Sequence, residues 1–285
     1  MKRTPYLCVQ GAHFVECDVV LTKDCQAICR HEPDVSQTTD ALHKFPHLLR
    51  NDTIDGLDFH GIFTTDLTLA QVKTLRAKER LASRDQSYNF LYEVPTLQEY
   101  LDVIKNATAL YGRVVGAVPE TKHPTWFQQN LPCLQERDTN ISAILLQALQ
   151  ANGFNHLAFT AEWSRAPAII QSFEIENLQW LNSTSGIPLL QLLDEADLTT
   201  ADNDTPYGSL MTDEGLSAIA TYAQILGNWK GSPVPPDGSA PEPVAANLTK
   251  RAQAQGLLVT PYTFRNDDPW NSTGTFIIFF AFDDI

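Results

Sequence analysis

Apolar and polar positions follow two different periods along the chain, which predict strands and helices in turn. Short apolar or β-branched runs predict buried strands at residues 14–20, 26–30, 113–120, 168–173, 187–193 and 257–264. Between them, apolar residues recur at helical spacing over residues 68–79, 96–106, 141–152, 175–181, 214–225 and 243–255. Thr96 and Glu99 form a capping-box pattern at the start of the second helix. Strands that alternate with helices predict βα units around a parallel sheet, and therefore an α/β fold.

The length of the chain suits one domain. It has 285 residues, and single-domain α/β barrels typically run to about 250. The stretch over residues 231–243 has the composition of a linker, but its length suits an irregular loop within one domain. We therefore predict a single domain over residues 1–285.

The net charge of the chain is −14, from 34 acidic and 20 basic residues. This acidity argues against nucleic acid or an anionic membrane surface as the main partner. The longest apolar run, FIIFFAF at residues 276–282, is far shorter than the roughly 20 residues of a membrane span. The first ten residues lack the apolar segment of a secretory signal, so we expect no signal peptide in this chain.

Seven of the 14 asparagines stand in Asn-x-Ser/Thr patterns, namely Asn51, Asn106, Asn140, Asn182, Asn203, Asn247 and Asn271. This density predicts a glycoprotein of a secretory lineage, with coincidence in a threonine-rich chain as the alternative. The missing signal peptide would then indicate that the start of the protein is absent. The cysteines are too sparse to predict a disulfide framework and have no metal-binding spacing, so we expect buried or free thiols at Cys8, Cys17, Cys25, Cys29 and Cys133. The alternative is that Cys25 and Cys29, which flank a short turn, pair with other groups.

Glu16 and Asp18 are the first candidates for chemistry. They lie two residues apart on the predicted strand at residues 14–20, so both carboxylates point to the same face. Two like charges on a buried face repel each other and cost desolvation, unless a cation lies between them. A hard cation such as Ca²⁺ or Mg²⁺ accepts carboxylate oxygens. The alternatives are an exposed strand edge or ion pairs with Arg and Lys.

Three further candidates follow the ends of predicted strands. His31 follows the strand at residues 26–30, and a histidine can exchange protons near neutral pH, although a lone histidine is more often structural. Glu120 ends another strand, with Lys122 two residues later, so the pair could bind a metal and a phosphate oxygen, or form a simple ion pair. The carboxyl ends of the strands face the active site in a βα barrel.

Taken in order, these segments resemble the glycerophosphodiester phosphodiesterase family, most closely its plant-type and periplasmic branch. The resemblance covers residues 11–268 and rests on the segments GAHFVECDVVLTKD, RHEPD, VPTLQEYLDVI, VPETKHPTWF, IIQSFEIENLQWL and VTPYTFRNDD. It implies a TIM (β/α)8 barrel that hydrolyses glycerophosphodiesters such as glycerophosphocholine to glycerol 3-phosphate and an alcohol. It also implies a divalent metal cofactor, Ca²⁺ or Mg²⁺.

The resemblance assigns roles to the candidate residues. Glu16, Asp18 and Glu120 match the metal-binding carboxylates of the family, and Lys122 matches a lysine that faces the phosphate. His31 matches one of two catalytic histidines, in a motif whose following Asp is Glu32 here. Phe173 corresponds to a pocket-lining residue, and the role of Arg265 in the last segment stays open.

Two family features find no match in this sequence. One is the first strand, which ends in His-Arg-Gly and carries the other catalytic histidine; the other is the usual last strand. Because the first and last strands of a closed barrel are neighbours, we expect an incomplete barrel, produced by an alternative transcript or an error in the gene model. Loss of one acid–base group would lower the rate by roughly 10²–10⁴-fold. The alternatives are a non-catalytic glycerophosphodiester-binding or regulatory protein that retains the metal site, and a misfolded fragment.

Overall fold

The described part of the chain is built on a seven-stranded, largely parallel sheet. The computed structural model describes residues 11–232 and 244–264; Arg265 and the apolar run at residues 276–282 lie outside them. The strands in chain order are β1 (Phe14–Leu21), β2 (Ala27–Cys29), β3 (Arg50–Ile54), β4 (Leu57–Gly61), β5 (Gly116–Thr121), β6 (Ile170–Ser172), β7 (Leu189–Leu193), β8 (Ile225–Asn228) and β9 (Leu258–Val259). The sheet has the order β2-β1-β5-β6-β7-β8-β9, and β3 and β4 form a separate hairpin. Only β2 runs antiparallel to its neighbour among the strands of this sheet.

Helices follow most of the parallel strands, as the alternation of the sequence predicts. They are α1 (Ala41–Lys44), α2 (Leu69–Val72), α3 (Leu97–Tyr111), α4 (Pro124–Asn130), α5 (Pro132–Glu136), α6 (Ile141–Ala151), α7 (Ile175–Thr184), α8 (Tyr207–Leu210), α9 (Asp213–Ile219) and α10 (Leu248–Ala254). Helices α3 and α6 pack against β1 and β5, and α7 packs against β6 and β7. The hydrophobic core lies between this helical layer and the sheet. The arrangement confirms the α/β class.

Helix α3 fixes the relative position of the two strands that matter most for the site. Its predicted capping box is present: the Thr96 hydroxyl accepts from the Glu99 amide, and the Glu99 carboxylate accepts from the Thr96 amide. One turn later, the buried Tyr100 hydroxyl donates to the Val15 carbonyl of β1 and accepts from the Val118 amide of β5. A helix side chain therefore joins β1 to β5 directly beside their inward carboxylates.

Two predicted helices are shorter than expected because residues near their predicted C-terminal ends pair with distant segments of the chain. The helix expected over residues 68–79 ends at Val72, and Ala77 instead makes a β-bridge with Thr39. The helix expected over residues 214–225 ends at Ile219, and Ile225 begins β8, which pairs with β7. Local spacing favours helix at both places, but backbone pairing to a distant segment outweighs that preference.

Strand β8 also shows why a glycine stands in the barrel interior. A Cβ atom on Gly227 would lie 2.7 Å from Leu190 Cδ2 and 2.9 Å from Leu192 Cδ2. These two leucines and Ile225 form a small apolar cluster. Any larger residue at position 227 would displace that cluster.

The prediction of free or buried thiols is wrong for four of the five cysteines. Cys17 on β1 is bonded to Cys29 on β2, and Cys25 in the intervening turn is bonded to Cys133 on α5. The antiparallel pairing of β1 with β2 brings the first pair together, with Cα atoms 5.4 Å apart. The second pair is separated by 108 residues and meets only through the fold. Cys8 lies outside the described residues.

The β3–β4 hairpin was not predicted, although its turn carries a sequence signal. Asp55 and Gly56 connect the strands with φ angles of 49° and 81°, as the Asp-Gly dipeptide favours in two-residue hairpin turns. Ile54 pairs with Leu57 across this turn. The turn of this hairpin forms part of the wall of the cavity that contains the candidate site residues.

The main sheet has two ends over the described residues. β2 and β9 are the terminal strands in its order, so hydrogen bonds do not close the sheet within residues 11–232 and 244–264. This agrees with the expectation of an open barrel. None of the described helices has the length and apolar character needed to span a bilayer.

Candidate active site

Three carboxylates meet on the inner face of adjacent parallel strands. Asp18 on β1 lies directly opposite Glu120 on β5, and Glu16 lies two residues before Asp18. One oxygen from each of the three carboxylates lies within 4.8 Å of the others. The strand alternation that the sequence predicts therefore does bring Glu16 and Asp18 together, and the β1–β5 register adds Glu120.

Burial makes this cluster electrostatically costly. Asp18 and Glu120 are each only 5% exposed. Desolvation raises the pKa of Asp18 to about 7, and the nearby Glu120 carboxylate adds to the rise, against the opposing charges of His31 and Lys122. Three converging oxygen donors with an unfavourable mutual repulsion fit a hard divalent cation such as Ca²⁺ or Mg²⁺.

Neighbouring side chains hold the carboxylates in place. The Gln171 amide, opposite Glu120 on β6, donates a hydrogen bond to Glu16. The buried Lys122 ammonium lies 3.2 Å from the nearer Glu120 carboxylate oxygen. Burial opposes the charged form of Lys122, but Glu120, Asp18 and Glu32 raise its pKa above the usual range. Lys122 therefore stays positively charged inside a cavity lined by acids.

His31 approaches the same cavity from the loop after β2. Its Nδ1 lies 2.9 Å from Glu32 Oε1. Burial and the Lys122 charge lower the pKa of the ring, but the Glu32 hydrogen bond and the charges of Asp18 and Glu32 outweigh them, so the pKa is raised. A carboxylate at one ring nitrogen fixes the tautomer of the imidazole, which suits proton transfer at the other.

Sequence inspection assigned no role to three residues of this cluster, namely Glu32, His123 and Asp55. Glu32 Oε2 lies 3.2 Å from His123 Nε2, and His123 Nδ1 lies 2.5 Å from Asp55 Oδ2 of the hairpin turn. His123 directly follows Lys122, and this position beside a candidate site residue could have indicated that it belongs to the site. Asp55 had only its turn dipeptide to mark it. The pairing of Glu32 with a residue 91 positions away has no local signature.

One cavity of about 1330 Å³ contains the whole constellation. It is lined by every predicted site residue: Glu16, Asp18, His31, Glu120, Lys122 and Phe173. The wall near Phe173 is aromatic, since the Tyr207 and Tyr262 rings pack edge-on against it at centroid distances of 6.2 and 5.9 Å. Asp194 lines the same wall.

The sequence profile of the glycerophosphoryl diester phosphodiesterase family matches residues 8–275. The chain belongs to this family. It is 32% identical over 261 residues to glycerophosphodiester phosphodiesterase GDPD6 of Arabidopsis thaliana, covering 91% of this chain and 68% of that relative. It is 26% identical over 278 residues to a glycerophosphodiester phosphodiesterase of Bacillus subtilis, covering 93% of this chain and 73% of the relative. The enzyme class implied by the sequence resemblance, a glycerophosphodiester phosphodiesterase, is thereby confirmed.

Solved structures confirm the fold class. A glycerophosphodiester phosphodiesterase of Thermotoga maritima superposes with a TM-score of 0.53 at 15% identity, over 93% of this chain and 79% of that one. A phosphodiesterase of Oleispira antarctica, in complex with the product sn-glycerol-3-phosphate, gives a TM-score of 0.57 at 15% identity, over 93% and 78% of the two chains. The fold is thus that of the TIM-barrel enzymes of the glycerophosphoryl diester phosphodiesterase family, with the described part of the sheet open.

Proposed function

We propose that this chain hydrolyses glycerophosphodiesters, glycerophosphocholine among them, to sn-glycerol 3-phosphate and an alcohol, and that the reaction depends on a divalent metal. The observation that carries the proposal is the convergence of Glu16, Asp18 and Glu120 in one cavity with Lys122 and His31. The product bound to the Oleispira antarctica phosphodiesterase supports the same product here.

Glu16, Asp18 and Glu120 would hold the metal. When bound, a divalent ion supplies Lewis-acid polarisation of a phosphoryl oxygen and offsets the charge that develops in the transition state. The buried Lys122 ammonium stabilises the same developing charge from the side of β5. Because the cavity shields these charges from water, each one interacts more strongly with a phosphate than it would at the surface.

His31 moves the proton. Hydrolysis forms a bond between phosphorus and an attacking oxygen and breaks the bond between phosphorus and the alcohol oxygen, so one oxygen loses a proton and the other gains one. The His31 ring, oriented through Nδ1 by Glu32, accepts the proton of the attacking oxygen at Nε2 and gives it to the leaving alcohol oxygen, so the ring ends the reaction as it began. Burial lowers the pKa of the ring, but the hydrogen bond and charge of Glu32 raise it above its usual range, which strengthens Nε2 as the acceptor of this proton.

The aromatic wall favours a cationic head group such as choline. Phe173, Tyr207 and Tyr262 line the cavity, and a quaternary ammonium is attracted to aromatic rings. Burial raises the pKa of Tyr207, and the charge of Asp194 raises it further, which places an acidic group near the rings. Carboxylate and ring faces together would favour a positively charged alcohol over a neutral one.

The test is glycerol 3-phosphate release from glycerophosphocholine by chelator-treated protein, before and after addition of Ca²⁺ or Mg²⁺. We expect metal-dependent release in the wild type and a loss of at least about 100-fold in Glu16→Ala. Glu136→Ala, a carboxylate change on the exposed side of α5, should match the wild type. Release that is unaffected by Glu16→Ala would contradict the site. Binding of glycerophosphocholine without release would indicate a binding protein instead.

We also propose that the protein matures in the secretory pathway as a glycoprotein. Two disulfides support an oxidising compartment. Among the described residues, five of the predicted glycosylation asparagines are exposed: Asn51, Asn106, Asn182, Asn203 and Asn247. Expression through a eukaryotic secretory pathway should yield a product that loses mass on treatment with an N-glycosidase. An unchanged mass would contradict the proposal.

A further inference from the structure

Four side chains form a continuous chain of hydrogen bonds from the hairpin to the candidate acid–base residue. Asp55 Oδ2 lies 2.5 Å from His123 Nδ1, and His123 Nε2 lies 3.2 Å from Glu32 Oε2. The second Glu32 oxygen lies 2.9 Å from His31 Nδ1. Acidic and basic groups alternate along this chain, so every contact in it is an attraction.

Glu32 is the shared element because each of its oxygens serves a different histidine. Its side chain has rotatable bonds that would otherwise let the carboxylate turn away from His31. The contact with His123 holds the second oxygen, which leaves the first directed at His31 Nδ1. Although burial raises the pKa of Glu32, hydrogen bonds from His123 and His31 bring it well below its usual range, so the group is ionised and accepts from both rings.

His123 is itself fixed at both ends. It stands immediately before Pro124, the first residue of α4, and its backbone adopts the left-handed region with φ of 46°. Its side chain is 14% exposed. Burial and the Lys122 charge lower the pKa of the ring, but the bonds to Asp55 and Glu32 raise it to about 9. The ring is therefore an imidazolium at neutral pH and donates from both nitrogens.

Asp55 brings the β3–β4 hairpin into the arrangement. The hairpin lines the active-site cavity with residues of its turn and of the strands beside it: Ile54, Asp55, Leu57 and Phe59. The Asp55–His123 contact joins this wall to the start of α4, which follows the strand carrying Glu120. One contact thus fixes the hairpin and His123 relative to each other.

We propose that His123 is a positioning residue for the hydrolysis: held by Asp55 from the hairpin, it fixes Glu32 and, through Glu32, the orientation of the His31 ring. This role rests on the proposed function only in so far as His31 transfers the proton. His123 itself touches neither the metal-binding carboxylates nor the reacting atoms in this assignment.

The kinetic test uses His123→Phe, which fills the volume of the ring but donates to neither carboxylate. We expect kcat to fall by about 10- to 100-fold, the range for loss of a residue that orients a site ligand, with KM changed by less than about threefold. His123→Gln, which keeps one amide donor, should recover part of the loss. Asp55→Asn should have a smaller effect, because Asn retains an acceptor and tolerates the left-handed turn.

The matched control is His60→Phe. His60 lies on the same hairpin, where its Nδ1 is 2.6 Å from Asn51 Oδ1, but it is exposed and does not line the cavity. Its kinetics should equal those of the wild type. Thermal unfolding of each variant identifies any loss of activity that merely follows loss of folded protein. Wild-type kcat in His123→Phe, or an equal loss in His60→Phe, would overturn the role.

A second readout does not depend on turnover. The ¹⁵N shifts of the His31 ring, assigned with His31→Gln and recorded at a pH where the ring is neutral, report its tautomer. We expect the Nδ1–H form alone in the wild type and in His60→Phe, and a mixture of tautomers in His123→Phe. An unchanged tautomer in His123→Phe would overturn the proposal. The expected tautomer change without any hydrolysis by the wild type would instead contradict the proposed function.

Discussion

The two disulfides differ in how much chain they close, and this difference predicts unequal effects on stability. The perturbations are the double changes Cys25→Ala/Cys133→Ala and Cys17→Ala/Cys29→Ala. The first bridge joins residues 108 positions apart and the second joins residues 12 positions apart. In the chain-entropy treatment, a longer closed loop removes more freedom from the unfolded state.

Loop closure gives a stabilisation of about 4.8 kcal/mol for the long bridge and about 2.8 kcal/mol for the short one. Cys17 and Cys25 are both 3% exposed, so the packing lost at these two positions is similar. We therefore expect the two double variants to differ by about 2 kcal/mol in their free energy of unfolding. The assay is urea unfolding of each variant without reductant, with Cys8→Ala as a cysteine change that removes neither bridge. An equal loss in both variants, or a larger loss from the short bridge, would refute the entropic argument.

Three further predictions concern helix capping, the His123 charge and the aromatic wall. Thr96→Ala should lower the free energy of unfolding by about 1 kcal/mol, measured by urea unfolding, because it removes the cap of α3. Against the effect of burial, the bonds to Asp55 and Glu32 raise the pKa of folded His123 to about 9, above the usual histidine value of about 6.5, so its stabilisation is present below pH 6.5 and is lost as pH rises through 9. The free energy of unfolding falls by roughly 3 kcal/mol over this pH range. In His123→Phe it should lack this part of the pH dependence, and the same pH dependence in the variant and the wild type would contradict the prediction. Tyr262→Leu should reduce the preference for glycerophosphocholine over glycerophosphoglycerol by about threefold to tenfold in kcat/KM. Tyr262→Phe, which keeps the ring but loses the hydrogen bond to Leu193 O, should retain that preference.

The parts of the site that the sequence predicts are those defined by local geometry. Glu16 and Asp18 share a face because strand side chains alternate, and the structure places them together for that reason. Thr96 and Glu99 form their cap within four residues. Glu120 was expected near them from its place at a strand end, and the parallel β1–β5 register sets it opposite Asp18.

The parts that sequence inspection missed depend on contacts between distant segments. Cys25 meets Cys133 only because α5 packs beside the turn after β1, and Glu32 meets His123 only because β1 pairs with β5. Strand β8 was not predicted, and its first residue, Ile225, was assigned to the end of a helix because it continues the helical spacing, whereas pairing with β7 decides its conformation. The cysteine expectation failed for the same reason, since sparse spacing carries no information about proximity in the fold.

The central claim is that Glu16, Asp18 and Glu120 form the metal site of a glycerophosphodiester phosphodiesterase. Calorimetric titration of Ca²⁺ or Mg²⁺ into chelator-treated protein tests it without relying on turnover. We predict saturable binding to a single site in the wild type and in Glu136→Ala, and loss of that binding in Asp18→Asn and Glu120→Gln. Absence of binding in the wild type, or equal affinity in Asp18→Asn and Glu120→Gln, would contradict the claim.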